Sequence, residues 1–313
     1  MEPLIKFDEM LSGSETLVLG LGVFDGVHLG HCRIMAELSS MAQRCHAIPA
    51  AVTFYPHPRA VLCPDDPPQM LLPLSERCRL LRAAGARLTG VIDFTQEFAD
   101  VEAEEFLNRL FSAAGFRLAG ICVGSRWRFG RGGAGDKELL RRFAAGKQIE
   151  FSPCQELVIK GETVSSSAVR RSTAAGYLDH ARAMLGRPVR VFGKVRHGNR
   201  IAGSVLSAPT ANIDVTCGVL PPDGVYSGRI NIGGSWYPAA VNIGFSPTFQ
   251  VNVRRVEAHV LDFSGSLYGE ELELELLHFL RREQSFSSPE ELMKQIRKDI
   301  CRVRNDFENE KAL

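Results

Sequence analysis

Residues 16–31 read TLVLGLGVFDGVHLGH. An apolar run the length of one strand breaks at a turn carrying Asp25 and Gly26, and an amphipathic segment starts near Leu29. In that segment Met35, Leu38, Met41 or Ala42, and Cys45 recur at helical spacing, which predicts a helix with one face against a sheet. The alternation continues through AIPAAVTF (47–54), SERCRLLRAAG (75–85), LTGVIDF (88–94), VEAEEFLNRLFSAAG (101–115) and LAGICVG (118–124). Continuously apolar strands separated by amphipathic helices predict a parallel sheet covered on both faces. The first half is therefore read as a doubly wound, Rossmann-like α/β domain, with its ligands beyond the carboxyl ends of the strands.

Past LGRPVRVFG the texture changes. Short β-rich runs follow one another with glycine and proline between them: VRVFGKV (189–195), GVYSGRINI (224–232), WYPAAVNIG (236–244), VRRVEAHVLDF (253–263) and EELELELLHFL (270–280). The pair Gly233–Gly234 suits a two-residue hairpin turn, and the whole stretch reads as an antiparallel β-barrel. A terminal helix is predicted from Pro289, with Ser288 as its cap and Glu291 completing a capping box. Leu292, Ile296, Ile300, Val303 and Phe307 form the stripe expected to pack it down. Texture alone divides the chain into domains 1–186 and 187–313.

Composition narrows the partners. With 313 residues, 45% hydrophobic and 23% charged, and a formal net charge of +1, the chain is neither a disordered segment nor a polybasic nucleic-acid binder. Its 8 cysteines are scattered without a CxxC pair, as expected of reduced thiols. MEPLIKFDEM carries acids in place of a leader's apolar core, and no later apolar run is long enough to span a bilayer. The expectation is a cytoplasmic protein acting on small molecules, with neither nucleic acid nor membrane as partner, and monomeric or weakly self-associating.

His28 and His31 stand at the mouth of the first predicted helix, flanked by Gly26 and Gly30. Free amide donors and the positive end of the helix dipole make such a mouth a site for polyphosphate. Zinc is the competing reading. It asks for four ligands, and Cys32 falls on a different helical face.

GVFDGVHLGH (22–31), TFYPHP (53–58) and VSSSAVR (164–170) resemble the adenylyltransferase module of the bacterial bifunctional riboflavin kinase and FAD synthetases. PTANI (209–213), LPPDGVYSG (220–228), AAVNIGFSPTF (239–249) and VEAHVLDFSGSLYGE (256–270) resemble the riboflavin kinase module of the same family, in the same order. The resemblance implies two reactions: riboflavin plus ATP gives FMN, and FMN plus a second ATP gives FAD and pyrophosphate. For adenylyl transfer it implies His28, His31 and Arg170 as catalytic groups. Gly22, Phe24, Asp25, Gly26, Gly30, Thr53, Pro56, His57, Pro58, Gly124, Arg126, Ser166 and Ser167 would then surround nucleotide and flavin. For phosphoryl transfer it implies Glu257 as base and Thr210 and Asn212 as ligands of the magnesium that accompanies ATP. Gly193, Gly203, Pro209, Asn242 and Arg281 would complete that site. Read without the resemblance, the three serines are equally caps or turn residues, His57 a loop histidine and Glu257 a polar residue on a solvated strand face.

Two stretches depart from the family pattern. Arg126 stands where the family carries an aspartate or asparagine, and GSVLSAPTAN puts Ser204, Ser207 and Ala208 where an arginine, a glycine and often a phenylalanine belong. These departures keep an alternative open: a paralogue without FAD synthesis that senses flavin or nucleotide.

Overall fold

In the computed structural model, residues 5–6, 15–112, 116–196, 210–245 and 254–311 are described. They form two compact units, 1–68 with 73–165, and 69–72 with 166–313.

The first unit is built on a six-stranded sheet in the order β1-β4-β3-β2-β5-β6, parallel throughout. The strands are β1 (Ile5–Lys6), β2 (Glu15–Leu21), β3 (Ile48–Tyr55), β4 (Leu88–Asp93), β5 (Phe116–Gly124) and β6 (Glu150–Cys154). Successive strands run outward from β2 to one side and then to the other, so the order reverses between β2 and β5. Such a reversal opens a crevice at the carboxyl ends of the strands. Leu17, Leu19, Leu21, Val52, Ile121 and Val123 are buried in the core of this unit, as continuous apolar strands require.

Helix α1 (Leu29–Arg44) buries Ile34, Met35, Leu38, Met41 and Ala42. That is the stripe its spacing predicts; Cys45 ends the helix as its C-cap and does not extend the buried face. The other helices of this unit are α2 (Pro58–Leu62), α3 (Leu74–Ala83), α4 (Gln96–Ala99), α5 (Ala103–Ser112) and α6 (Lys137–Lys147). Between β2 and α1 the chain passes through positive φ at Phe24 (52°), Gly26 (79°) and Val27 (36°). Only glycine takes that region without penalty, so Phe24 and Val27 are held in it by their surroundings.

The second unit contains α7 (Ser166–Ala174), α8 (Leu178–Leu185) and a closed antiparallel barrel of order β10-β13-β12-β11-β14-β9. Its strands are β9 (Val189–Arg196), β10 (Thr210–Cys217), β11 (Gly224–Ile232), β12 (Ser235–Phe245), β13 (Arg254–Val260) and β14 (Glu271–Arg281). By texture the division fell near residue 186, whereas by compactness α7 and α8 go with the barrel. Gly233 and Gly234 both have positive φ and join β11 to β12 in the expected hairpin. In β14 the leucines face the interior and the glutamates face out. Glu275 is nevertheless buried, held between Arg190 at 2.8 Å and Arg229 at 2.6 Å. A buried carboxylate needs such partners.

Helix α9 (Pro289–Lys311) is capped by Ser288 Oγ, which accepts from Glu291 N at 3.3 Å. The return bond of the box goes one residue further back, to Ser287 N. Val303 and Phe307 are buried, contributing roughly 1.5–3 kcal/mol each. The N-terminal half of the stripe behaves differently from expectation: Leu292, Ile296 and Ile300 line an open cavity. Apolar spacing identifies the inward face of a helix but not whether protein or ligand will cover it.

Two candidate active sites

The first site gathers at the carboxyl ends of the parallel strands. His28 is the N-cap of α1, and its Nδ1 accepts from the His31 amide at 3.3 Å. An accepting Nδ1 puts the ring proton on Nε2, so the imidazole that closes the helix end keeps a donor on its far side. The His31 ring stacks on it, centroids 3.6 Å apart, and meets the edge of Phe24 at 5.1 Å. The sequence places both histidines at the helix mouth with their N–H groups turned outward. For His28 one nitrogen, Nδ1, is spent on the cap and Nε2 keeps the N–H.

Beside this mouth lies an apolar cavity of about 270 Å3. Its walls carry Phe54, Phe94, Phe98, Phe106, Trp127 and Phe129, contributed by segments that follow β3, β4 and β5 or lie at their ends. The rings contact one another in a chain: Phe54 with Phe94 and Phe98, Phe98 with Phe106, and Phe106 with Trp127 and Phe129. Trp127 stacks on Phe129 with centroids 4.9 Å apart. Such a slot suits a flat aromatic ligand.

The second site lies on the outer face of the barrel. Asn212, Glu257 and Asn242 are register partners across β10, β13 and β12, while Thr210, His259 and Ala240 form the next row. The neighbours Ala211, Ala258 and Val241 are buried inside, so both rows point outward, and Thr210, Ala240, Asn242, Glu257 and His259 line a cavity of about 640 Å3 roofed by α9. Arg281 donates from Nε to Asp299 on α9 at 2.9 Å, and Asp299 also accepts from Gln295 at 2.8 Å. Asn242 donates to Glu283 at 3.0 Å. Burial lowers the pKa of the His259 imidazole, favouring the neutral ring.

Comparison with known proteins assigns each site a family. A FAD synthetase model matches residues 11–168 and a riboflavin kinase model residues 185–307. A bifunctional riboflavin kinase/FMN adenylyltransferase from Pseudomonas fluorescens is 33% identical over 288 residues, 92% of each chain. Its namesake from Escherichia coli (strain K12) is 32% identical over 294 residues, covering 94% of this chain and 93% of its own. The chain belongs to the bifunctional riboflavin kinase/FMN adenylyltransferase family. A crystal structure titled macrolide-efflux protein, from Streptococcus pneumoniae, superposes with a TM-score of 0.85 at 27% identity over 97% of this chain and 98% of its own. Efflux is said of that protein; among the described residues here no helix is long and apolar enough to cross a membrane.

In this family frame, the predicted residues divide into distinct roles. Phe24 and Asp25 are buried in the loop ahead of His28, and Gly22 donates its amide to Val52 O at 3.2 Å. A side chain on Gly30 would press on the His28 ring. Thr53 is fully buried, its hydroxyl donating to Val23 O at 2.8 Å, so it supports the loop from within. Pro58 lines the aromatic cavity, and His57, next to Pro56, caps α2 by accepting from Arg59 N at 3.1 Å. Gly124 closes β5. Arg126 is exposed and pairs with Glu156 at 2.7 Å, away from the cavity wall that its neighbour Trp127 forms.

Ser166, Ser167 and Arg170 belong to α7 of the second unit, where Arg170 Nε donates to Gln69 O at 2.6 Å. Gly193 sits where β9 closes on β10, too near Asp214 to admit a side chain. Gly203, Ser204, Ser207, Ala208 and Pro209 lie outside the described residues. Sequence reasoning missed His259, Asp299, Glu283 and most of the aromatic wall. The signal for that wall was present, as phenylalanines clustered in three segments, but apolar spacing alone does not tell a cavity wall from a core.

Proposed function

We propose that this chain makes FMN from riboflavin and ATP at the barrel site, and FAD from FMN and ATP at the parallel-sheet site. What carries the reading is that each half of one chain holds a cavity suited to its step. One is an aromatic slot beside a helix mouth; the other is a polar row centred on a carboxylate.

For FAD, the FMN phosphate attacks the α-phosphorus of ATP in line and pyrophosphate leaves. No protein nucleophile is needed, so positioning and donors aimed at developing charge do the work. The aromatic slot takes the isoalloxazine. Nε2–H of His28, His31 and the amides of α1 face the phosphates.

For FMN, the ribityl hydroxyl attacks the γ-phosphorus of ATP and ADP leaves. Glu257 takes its proton, Asn242 and Arg281 line the same cavity, and α9 covers it. Thr210 and Asn212 offer hard oxygens, and no group of three or more His, Cys, Asp or Glu side chains among the described residues forms a cage. That donor set fits magnesium, which binds mainly through nucleotide and water and supplies charge neutralisation at the phosphates.

By texture the modules divide at 1–186 and 187–313, with α7 and α8 counted in the first although they group with the barrel. The eight free cysteines suit a cytoplasmic protein, and neither site requires a second copy of the chain.

Incubation with riboflavin and magnesium ATP, followed by chromatography of the flavins, tests the proposal. FMN followed by FAD is the expected outcome. FMN alone would sink the second reaction, and bound flavin with no product would favour the sensor.

A further inference from the structure

Helix α3 sends one charged side chain entirely into the core. Arg77 is 0% exposed and shares its helix face with the buried Cys78 and Leu81. Its Nη1 lies 3.1 Å from Val23 O, 3.2 Å from Thr53 Oγ1 and 3.2 Å from Phe54 O. Thr53 Oγ1 itself donates to Val23 O at 2.8 Å. The Val23 carbonyl thus receives two donors, one from each of two elements.

The acceptors mark where this clamp acts. Val23 precedes the run of positive φ at Phe24, Gly26 and Val27 that leads into His28. Phe54 is a wall of the aromatic cavity and leads into the segment where His57 caps α2. A backbone held in sparsely populated conformations persists only when its surroundings fix it. Here one guanidinium ties the histidine-bearing loop to the cavity wall. All three oxygens face one nitrogen, Nη1, whose two hydrogens they share, and a guanidinium suits the buried position because its delocalised charge is more weakly hydrated than a lysine ammonium.

We infer that Arg77 is a positioning residue for adenylyl transfer, holding the His28–His31 helix mouth in register with the aromatic slot without touching substrate. The inference rests on the adenylyltransferase reading above. In-line attack is sensitive to displacements of about 1 Å, which can cost roughly 10²-fold in rate.

The test uses the full chain with Arg77→Met and Arg77→Lys, assayed well below the melting temperature of each variant. FAD formation gives kcat and KM for FMN and ATP, flavin fluorescence gives FMN binding, and riboflavin kinase activity of the same preparation is the internal control. Arg77→Met is expected to lower kcat for FAD about 10²-fold, with FMN binding and kinase activity within threefold of the parent. Arg77→Lys is expected to recover part of that loss.

Parental kcat in folded Arg77→Met overturns the inference, as does loss of FMN binding in step with kcat, which would mean a collapsed cavity. If Arg77→Met does not fold, Thr53→Val decides. A fall in kcat of about fivefold or more with FMN binding kept supports the clamp; parental kcat overturns it. A parent chain that makes no FAD defeats the adenylyltransferase reading first and the inference with it.

Discussion

The two sites of this chain are made by different means. On the parallel sheet, strand order creates the crevice, and the loops after β2, β3, β4 and β5 furnish it with rings and a capped helix mouth. On the barrel, the strands supply the polar row, and residues 283–286 after β14 add to the wall. Register brings Asn212, Glu257 and Asn242 into one row, and a helix from further along the chain supplies the roof. A site of the first kind depends on how loops are held. One of the second kind depends on strands staying in step.

The contrast can be broken or sharpened by substitution, because each module serves as the control for the other. The largest effect is expected for Glu257→Gln, which removes the base at the centre of the row. FMN formation should fall about 10³-fold while FAD formation from supplied FMN persists. Equal loss of both would show that the sites are not independent. Next comes His31→Ala, expected to cut FAD formation about 10²-fold, measured as initial rate from FMN and ATP, with kinase activity kept.

Asp299→Asn breaks the buried pair that links the barrel to its roof. A loss of about 2–3 kcal/mol in unfolding free energy, measured by urea titration, is expected. Trp127→Ala, at the aromatic slot, should raise KM for FMN about tenfold and leave KM for ATP unchanged. The smallest chemical change is Arg126→Ala: with its guanidinium turned to Glu156, FAD formation should stay within about threefold of the parent.

Proton linkage gives a further handle on the barrel. Burial lowers the His259 pKa, so the folded chain binds that proton less readily than the unfolded chain. The stability this neutral ring supports is complete above the ordinary imidazole range and declines as pH falls through it. Melting curves across that range should show the decline, and His259→Gln should flatten it.

Much of this was legible in sequence. Alternating apolar runs and helical stripes announced the parallel sheet, and Gly233–Gly234 announced a hairpin that is present. His28 and His31 were found because their neighbours place them at a helix mouth, and Glu257 through the family resemblance, since alternation alone reads it as a polar residue on a solvated strand face. The remainder depended on relations that no local pattern encodes. His28 uses one nitrogen as a cap, where serine, threonine, asparagine or aspartate is the ordinary signal. Phe94, Phe98 and Phe106 drew no separate reading, because a cavity wall and a core have the same spacing. Arg77 read as one of several charges in SERCRLLRAAG, since periodicity cannot show that a cation is buried to hold carbonyls. His259 was hidden two residues from the glutamate that drew attention, though alternation puts both on one face.

Closure of the barrel has a consequence for how kinase activity can be lost. In a ring of strands with no free edge, a one-residue slip of β13 would turn Glu257 and His259 toward the lumen and push Ala258 outside, while β10 and β12 stayed put. Insertions near that strand should therefore abolish phosphorylation abruptly, with no graded series of weakened enzymes in between.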